Sequence, residues 1–294
     1  MNSIHEEIRT IERADYPRLL EEALENASSV PDRLYIRGEM PPEDHVFLTI
    51  VGSRRYTEYG KAACEYLIAG LRGLPVVIVS GLAYGIDSIA HEAALKNGIH
   101  TMAVPGSGLS DEMIYPANHI GLARRILAAG GCLLSPFDET IMGNKWTFPY
   151  RNRIMAGIAQ ATLVIECEED SGTMITARQA ESFHRDVLIV PGSIFSKKSA
   201  GPHSYIKDGA TPIISQEALI EALRLSATPR AKPDYKDLSA DERKVITALF
   251  EPCTYDRLVE KLAMDATELN ILISGLELKK ILRKDGDRLR LAAD

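Results

Sequence analysis

No apolar run in this 294-residue chain is long enough to span a bilayer. Its opening residues, MNSIHEEIRTIER, lack the basic-then-apolar pattern of a secretion signal, so a cytoplasmic protein is expected. The four cysteines, Cys64, Cys132, Cys167 and Cys253, make no Cys-x-x-Cys pair and no grouping with histidine. Buried free thiols in a reducing compartment are the expectation, with no metal site. No Gly-x-Gly-x-x-Gly follows the first strand and no Walker lysine loop occurs, which disfavours a bound nucleotide cofactor and an ATPase cycle. The most telling gap is local. Between Thr140 and Glu166 there is no acid, in a chain whose formal net charge is -7.

What fills that gap is Trp146-Thr-Phe-Pro-Tyr-Arg-Asn-Arg153, preceded by Lys145. Rings that can stack on bases, beside cations that can pair with phosphates, suit a single-stranded nucleic acid. The same residues also fit a charged helix start with core aromatics, and the segment alone does not choose between the two. The overall acidity does not argue against a defined binding site. Residues 1–46 carry a net -6, residues 47–229 only -1, and residues 230–294 are neutral. A locally positive groove is compatible with that distribution.

The middle of the chain alternates short apolar runs with amphipathic stretches. Strands are expected at 46–51, 76–80, 101–105, 132–135, 163–167 and 187–191. They lack clean alternation, as parallel strands covered on both faces do. Helices are expected at 59–71, 86–97, 120–129, 151–159 and 173–184. This is an α/β pattern, a doubly wound and mostly parallel sheet. An acidic arm over 1–46 is expected to pack on that core, with the sheet domain over 47–225. A polar, proline-bearing linker follows at 226–238. Over 239–294, a Ser239-Ala-Asp-Glu242 capping box, three helical patterns and an Asp285-Gly-Asp287 turn resemble a small winged-helix module.

Ligands of open α/β sheets sit at the carboxyl ends of the strands. Those ends are rich in glycine and serine here: Gly52-Ser53, Gly81, Gly106 with Gly108, Ser171-Gly172-Thr173, and Gly192. Glycine allows close backbone approach, and amides at helix starts bind anions. The cations Arg54, Lys145, Arg151, Arg153, Lys197 and Lys198 fall on the same edge in this topology. Catalytic groupings are thin. Asp87 and His91, four apart on one helix, read as a cap and a core histidine because no third group accompanies them.

Taken in order, the motifs are recognisable. Val51-Gly-Ser-Arg54, Ser80-Gly-Leu-Ala-Tyr-Gly-Ile-Asp87, Tyr115-Pro116, Phe148-Pro-Tyr-Arg-Asn-Arg-Ile154, Ser171-Gly-Thr173, Val190-Pro-Gly192 and Asp208-Gly-Ala210 resemble the DNA-processing protein A family. The likeness covers roughly residues 11–215. It implies an extended Rossmann-like domain that binds single-stranded DNA and loads the RecA recombinase during natural transformation. It also implies that the protein is not an enzyme and holds no cofactor. By position, Arg54 and Lys145 match DNA-contacting residues and Phe148 a base-stacking one. Arg151, Asn152 and Arg153 belong to the same motif, and the glycine and serine loops with Lys197 and Lys198 complete the expected site. The family forms homodimers through a surface that corresponds here to His203, Tyr205, Ile206 and Ile213. Pro212 departs from the aliphatic residue common there.

Two rivals stand beside this reading. One is a nucleotide-processing hydrolase of the same Rossmann-like superfamily, although the glutamate usual after its glycine loop is absent from Asp170-Ser-Gly-Thr-Met-Ile-Thr-Ala-Arg178. The other is a regulator that sets its terminal module on duplex DNA. Residues 275–290 hold six bases and three acids, enough for modest phosphate contact.

Overall fold

The computed structural model describes residues 7–24, 31–225, 238–249, 253–262, 264–279, 281–285 and 288–291. Two compact units divide after residue 226. The expected linker, apart from Leu238, and Gly286 and Asp287 of the expected turn lie outside the described residues.

The large unit runs β1 (Ile8–Glu12), α1 (Arg18–Leu24), β2 (Arg33–Gly38), β3 (Val46–Val51), α2 (Glu58–Gly70), β4 (Val76–Ser80), α3 (Ile86–Lys96) and β5 (His100–Ala103). It continues with α4 (Ile120–Ala128), β6 (Cys132–Ser135), α5 (Thr147–Ile158), β7 (Ala161–Val164), α6 (Gly172–Ser182), β8 (Asp186–Ile189), α7 (Ala200–Lys207), β9 (Thr211–Pro212) and α8 (Gln216–Ala222). One nine-stranded sheet results, in the order β1-β2-β6-β5-β4-β3-β7-β8-β9. All pairings from β6 to β9 are parallel, while β2 joins β6, and β1 joins β2, antiparallel. The fold is the doubly wound, mostly parallel α/β class that the alternating pattern implies.

Burial explains the strands. Every residue of β4 and β6, and all of β3 but Val46, is buried, so no polar face interrupts them. Leu48, Ile50, Ile78 and Leu163 meet Cys64, Leu67 and Ile68 of α2 and Ile89 of α3 on one side. Val77, Val79 and Val164 meet Leu20 and Leu24 of α1 and Ile154, Met155 and Ile158 of α5 on the other. Each large aliphatic removed from water there contributes about 1.5–3 kcal/mol.

Several elements go beyond the sequence expectation, β1, α1, β2, α7, β9 and α8 among them. β2 alternates Leu34 and Ile36, buried on one face, with half-buried Tyr35 and Arg37 on the other, so the acidic segment supplies strands to the sheet. α5 begins at Thr147, four residues ahead of the expected start. Pro149 is tolerated because its missing N–H falls in the first turn, where no intrahelical acceptor exists. Asn144 caps that turn. Its Oδ1 accepts from the Trp146 amide at 2.9 Å, and its own amide donates to Thr147 Oγ1 at 2.9 Å.

The small unit holds α9 (Ala240–Ala248), β10 (Cys253–Thr254), α10 (Tyr255–Leu262), α11 (Ala266–Leu278), β11 (Leu282–Asp285) and β12 (Arg288–Leu291). Its sheet order is β10-β12-β11, all antiparallel. The Ser239–Glu242 capping box is formed in both directions. Val245, Leu258, Leu269, Ile273, Leu276 and Leu289 make a separate core.

Candidate functional site

The chain adds strands to one side of β3 as far as β6, then returns to add β7, β8 and β9 on the other. The loops leaving β3 and β7 therefore diverge, and a crevice opens between them. It is a cleft of about 690 Å³, lined by Gly52–Arg55, Asp87, Phe148, Arg151, Asn152, Glu168–Thr173 and Lys197.

Local contacts fix its walls. The Ser53 amide donates to Glu166 O at 2.8 Å, and Thr173 Oγ1 donates to Gly52 O at 3.0 Å. The buried Glu166 carboxylate accepts from the Thr57 amide and hydroxyl, at 2.6 and 2.7 Å, at the start of α2. Glu166 is thus committed to the scaffold. Leu82 adopts a φ of 58° with its side chain buried, and its carbonyl meets His119 Nδ1 at 2.7 Å. Such a conformation costs on the order of 1 kcal/mol and persists only where the surroundings impose it.

The floor is a buried polar layer. Arg151 is 4% exposed; its guanidinium donates to Gly81 O at 2.6 Å, to Val104 O, and to Asn152 Oδ1 at 2.8 Å. Burial lowers its pKa to about 10 against the opposing charge of Asp87. Asp87 accepts from the Gly81 amide at 3.2 Å, and burial raises its pKa despite the nearby Arg151. His91 is a core histidine. Its Nδ1 lies 2.7 Å from Thr101 Oγ1, which is itself 2.9 Å from Ile78 O. Burial holds its pKa down at about 3.

The rim is different. The Arg54 guanidinium is exposed and stands 5.4 Å over the half-buried Phe148 ring. Tyr115 packs on Phe148 at 5.6 Å. Lys145 is exposed and lies 5.0 Å over the ring of Trp146, which is 75% exposed. Lys197 is exposed at the cleft, and Lys198 Nζ donates to Ser53 Oγ at 3.1 Å.

The sequence-predicted residues therefore divide. Gly52, Ser53, Arg54, Phe148, Ser171, Gly172, Thr173 and Lys197 come together in one cleft, with Lys198 bonded into its wall, whereas Lys145 does not line the cleft and lies over the Trp146 ring. Arg151 and Asn152 form its buried floor, where their hydrogen bonds serve the protein itself. Arg153 is half-buried on α5 and does not line the cleft. The glycines also divide. A Cβ on Gly81 would collide with Arg151, one on Gly106 with the Phe148 ring, and one on Gly108 with the Asp138 and Glu139 carbonyls. These three make room for the protein's own groups, whereas Gly172 opens onto free space. Of the expected dimer residues, His203, Tyr205 and Ile206 are half-buried, the last two packed on the core. Ile213 is 1% exposed and sits in the core, so it cannot reach a partner; Thr211 and Pro212 before it are exposed, and so is Ile214 after it, at 80%.

Sequence reasoning missed Glu168, Glu169 and Asp170, which line the cleft just ahead of α6. The run Glu166-Cys-Glu-Glu-Asp170 was the available signal. Tyr115, noted in sequence only as part of the Tyr115-Pro116 motif and given no site role, buttresses the Phe148 ring. Among the described residues no grouping of three or more histidine, cysteine or carboxylate side chains could hold a metal. The free cysteines are buried, and burial pushes the Cys167 thiol up to about 11.

Fold and cleft together define an open Rossmann-like protein whose switch-point crevice is rimmed by cations and rings. The chain belongs to the DNA recombination-mediator protein A family, whose profile matches residues 7–224. Protein Smf of Escherichia coli is 34% identical over 258 residues, spanning 84% of this chain and 68% of that protein. DNA processing protein DprA of Bacillus subtilis is 40% identical over 59% of this chain, which spans only 58% of that relative. The X-ray structure of DprA from Streptococcus pneumoniae superimposes with a TM-score of 0.66 at 33% identity, covering 74% of this chain and 75% of that one. A Helicobacter pylori DNA processing protein A structure, described for its unique single-stranded DNA binding mode, gives 0.64 at 27% identity, covering 75% and 97%.

Proposed function

We propose that this chain is a recombination mediator: it binds single-stranded DNA in the switch-point cleft and delivers the strand to the RecA recombinase during natural transformation. The observation that carries the reading is the exposed Arg54 guanidinium stacked over Phe148 at the rim of that cleft. Arg54, with Lys145 and Lys197, takes phosphates; Phe148, buttressed by Tyr115, takes a base. Family membership and the single-stranded DNA binding of the Helicobacter pylori relative support the ligand class.

The rest of the proposal follows from the same reading. Binding involves no turnover, so nucleoside monophosphates offered to the protein release no free base. The working form is a cytoplasmic homodimer, joined along the exposed edge strand β9 and α7. Among the described residues no helix is long and apolar enough to cross a membrane. The small unit has the element order of a winged helix and serves as an accessory module joined through 226–238. A gel shift with short oligonucleotides, single against double stranded, tests the core of it. Single strands bind more tightly, and log K falls with log salt by about 0.7 per neutralised phosphate. Equal affinity for both forms would overturn the proposal.

A further inference from the structure

The turn after β8 presents two apolar side chains to solvent. Phe195 is 93% exposed and Ile194 is 80% exposed. A phenylalanine so placed contributes almost nothing to folding. Its backbone is nevertheless well held. The Ser196 amide donates to Ser193 O at 3.0 Å, and the Phe195 amide to Ser193 Oγ at 3.2 Å, closing the turn. Below it, Pro191 O accepts from the Tyr59 hydroxyl at 2.5 Å, and Gly192 O meets His203 Nε2 at 3.1 Å. On the far side, the Cys167 amide donates to Lys198 O at 2.8 Å, and Lys198 Nζ reaches Ser53 Oγ. A hydrogen-bonded turn thus carries an exposed ring two residues before Lys197, which lines the cleft although Phe195 itself does not.

The sheet order places this turn relative to the other ring. Phe148 seats against Gly106, in the loop that follows β5, two strands from β3 on one side. The Phe195 turn follows β8, two strands from β3 on the other side. Four inter-strand gaps separate β5 from β8, roughly 19 Å along the carboxyl edge at the usual spacing. Arg54 and Lys197 come from loops between those limits or at their border. Aromatic platforms at either end of a cleft that holds exposed cations suit an unpaired strand; the acids Glu168, Glu169 and Asp170, from the loop after β7, line the same stretch, so the phosphates are taken by Arg54 and Lys197 at its borders.

We propose that Phe195 is a second base-stacking residue: a single strand held at Phe148 crosses the cleft and stacks a further base on the Phe195 turn. This rests on the cleft being the single-strand site. The occupant is a nucleic-acid base rather than an apolar protein surface, because the turn is anchored to the cleft wall and followed by Lys197 and Lys198.

The test uses the full chain and fluorescence anisotropy with labelled oligothymidylates of about three and about twelve nucleotides, the longer within the usual range of single-strand sites. Phe195→Ala, so exposed that its fold is not at risk, weakens the longer ligand about tenfold and leaves the shorter unchanged. Phe195→Trp restores affinity and Phe195→Leu does not, which separates stacking from plain apolar contact. The oligomeric state, read by sedimentation, stays that of the unmodified protein. Undiminished binding of the longer ligand by Phe195→Ala, full rescue by Phe195→Leu, or dissociation of an oligomer by Phe195→Ala would each overturn the inference; the last would make the turn an interface between copies. Arg54→Ala is the parallel control. It weakens both ligands if the cleft is the site, and leaves both unaffected if the site itself is misplaced.

Discussion

Arg54 and Arg151 belong to the same cleft and lie near enough for each to act electrostatically on Asp87, yet they are different kinds of arginine. Arg54 is exposed and leans on Phe148, a contact worth about 0.5–1 kcal/mol. It is free to exchange water for a phosphate. Arg151 is buried, bonded to two backbone carbonyls and to Asn152, and electrically matched by Asp87. Any ligand that claimed it would have to dismantle the floor. The general point is that a cation in a binding cleft recruits a ligand only if its desolvation has not already been met from within.

The contrast breaks most visibly at the floor. Arg151→Ala leaves Asp87 buried without its countercharge and leaves Gly81 O and Val104 O without this donor. A drop of about 3–5 kcal/mol in stability is expected, read as a lower midpoint in denaturant unfolding. A midpoint unchanged by this substitution would mean that Arg151 is a surface group after all. Gly81→Ala forces the same guanidinium aside and should reproduce the defect more mildly.

The same buried layer gives a signature in pH. His91 stays neutral in the fold down to about pH 3, whereas an unfolded histidine protonates near 6.5. Between those values the unfolded state binds more protons, so stability falls as pH falls, by up to about 1.4 kcal/mol per unit. Asp87, whose pKa is raised, works in the opposite direction, so the effect must be isolated by difference. Unfolding of His91→Gln, compared with the unmodified chain from pH 7 to 4, should show a shallower decline. Parallel pH curves for the two proteins would mean that His91 does not set the acid sensitivity.

Much of this is legible in the sequence. β3, β4 and β6 coincide with their apolar runs because parallel strands buried on both faces carry no interrupting charge. β2 escapes notice because its alternation, buried Leu34 and Ile36 against half-buried Tyr35 and Arg37 on the other face, is short and set among charges. At the site, the rings and cations of the acid-free window are visible in the sequence, but their depths are not. Nothing in residue type separates Arg151 from Arg153. Position does: Arg151, Ile154, Met155 and Ile158 fall at i, i+3, i+4 and i+7, the inward stripe of α5. The role of Gly81 and Gly106 is equally hidden, since a glycine that admits a ligand and one that admits a neighbour's side chain look alike in sequence.

At the rim, the expected effects concern binding alone. Replacing Arg54 and Lys145 together by alanine should leave the unfolding midpoint within about 0.5 kcal/mol of the parent, as for exposed sites generally. The log K against log salt slope for single strands should flatten by up to about 1.4, or 0.7 for each phosphate no longer neutralised. Arg151→Ala, in whatever fraction remains folded, should keep the parent slope, because a cation already paired inside the protein releases no counterion. A steep slope in the double variant would place the phosphates elsewhere.

The smallest effect comes from the acids that sequence reasoning missed. Glu168, Glu169 and Asp170 stand in the cleft with Arg54 and Lys197, where their field opposes an incoming phosphate. At physiological salt that field is felt over about 8 Å, so the penalty is modest. Glu168→Gln with Glu169→Gln should tighten single-strand binding a few-fold at low salt, with the gain fading as salt rises. This sharpens the contrast between the two arginines, since the variant alters the potential at the rim while leaving the floor untouched. If affinity falls instead, the acids hold Arg54 or Lys197 in position rather than repel the strand, and the rim is then partly as self-satisfied as the floor beneath it.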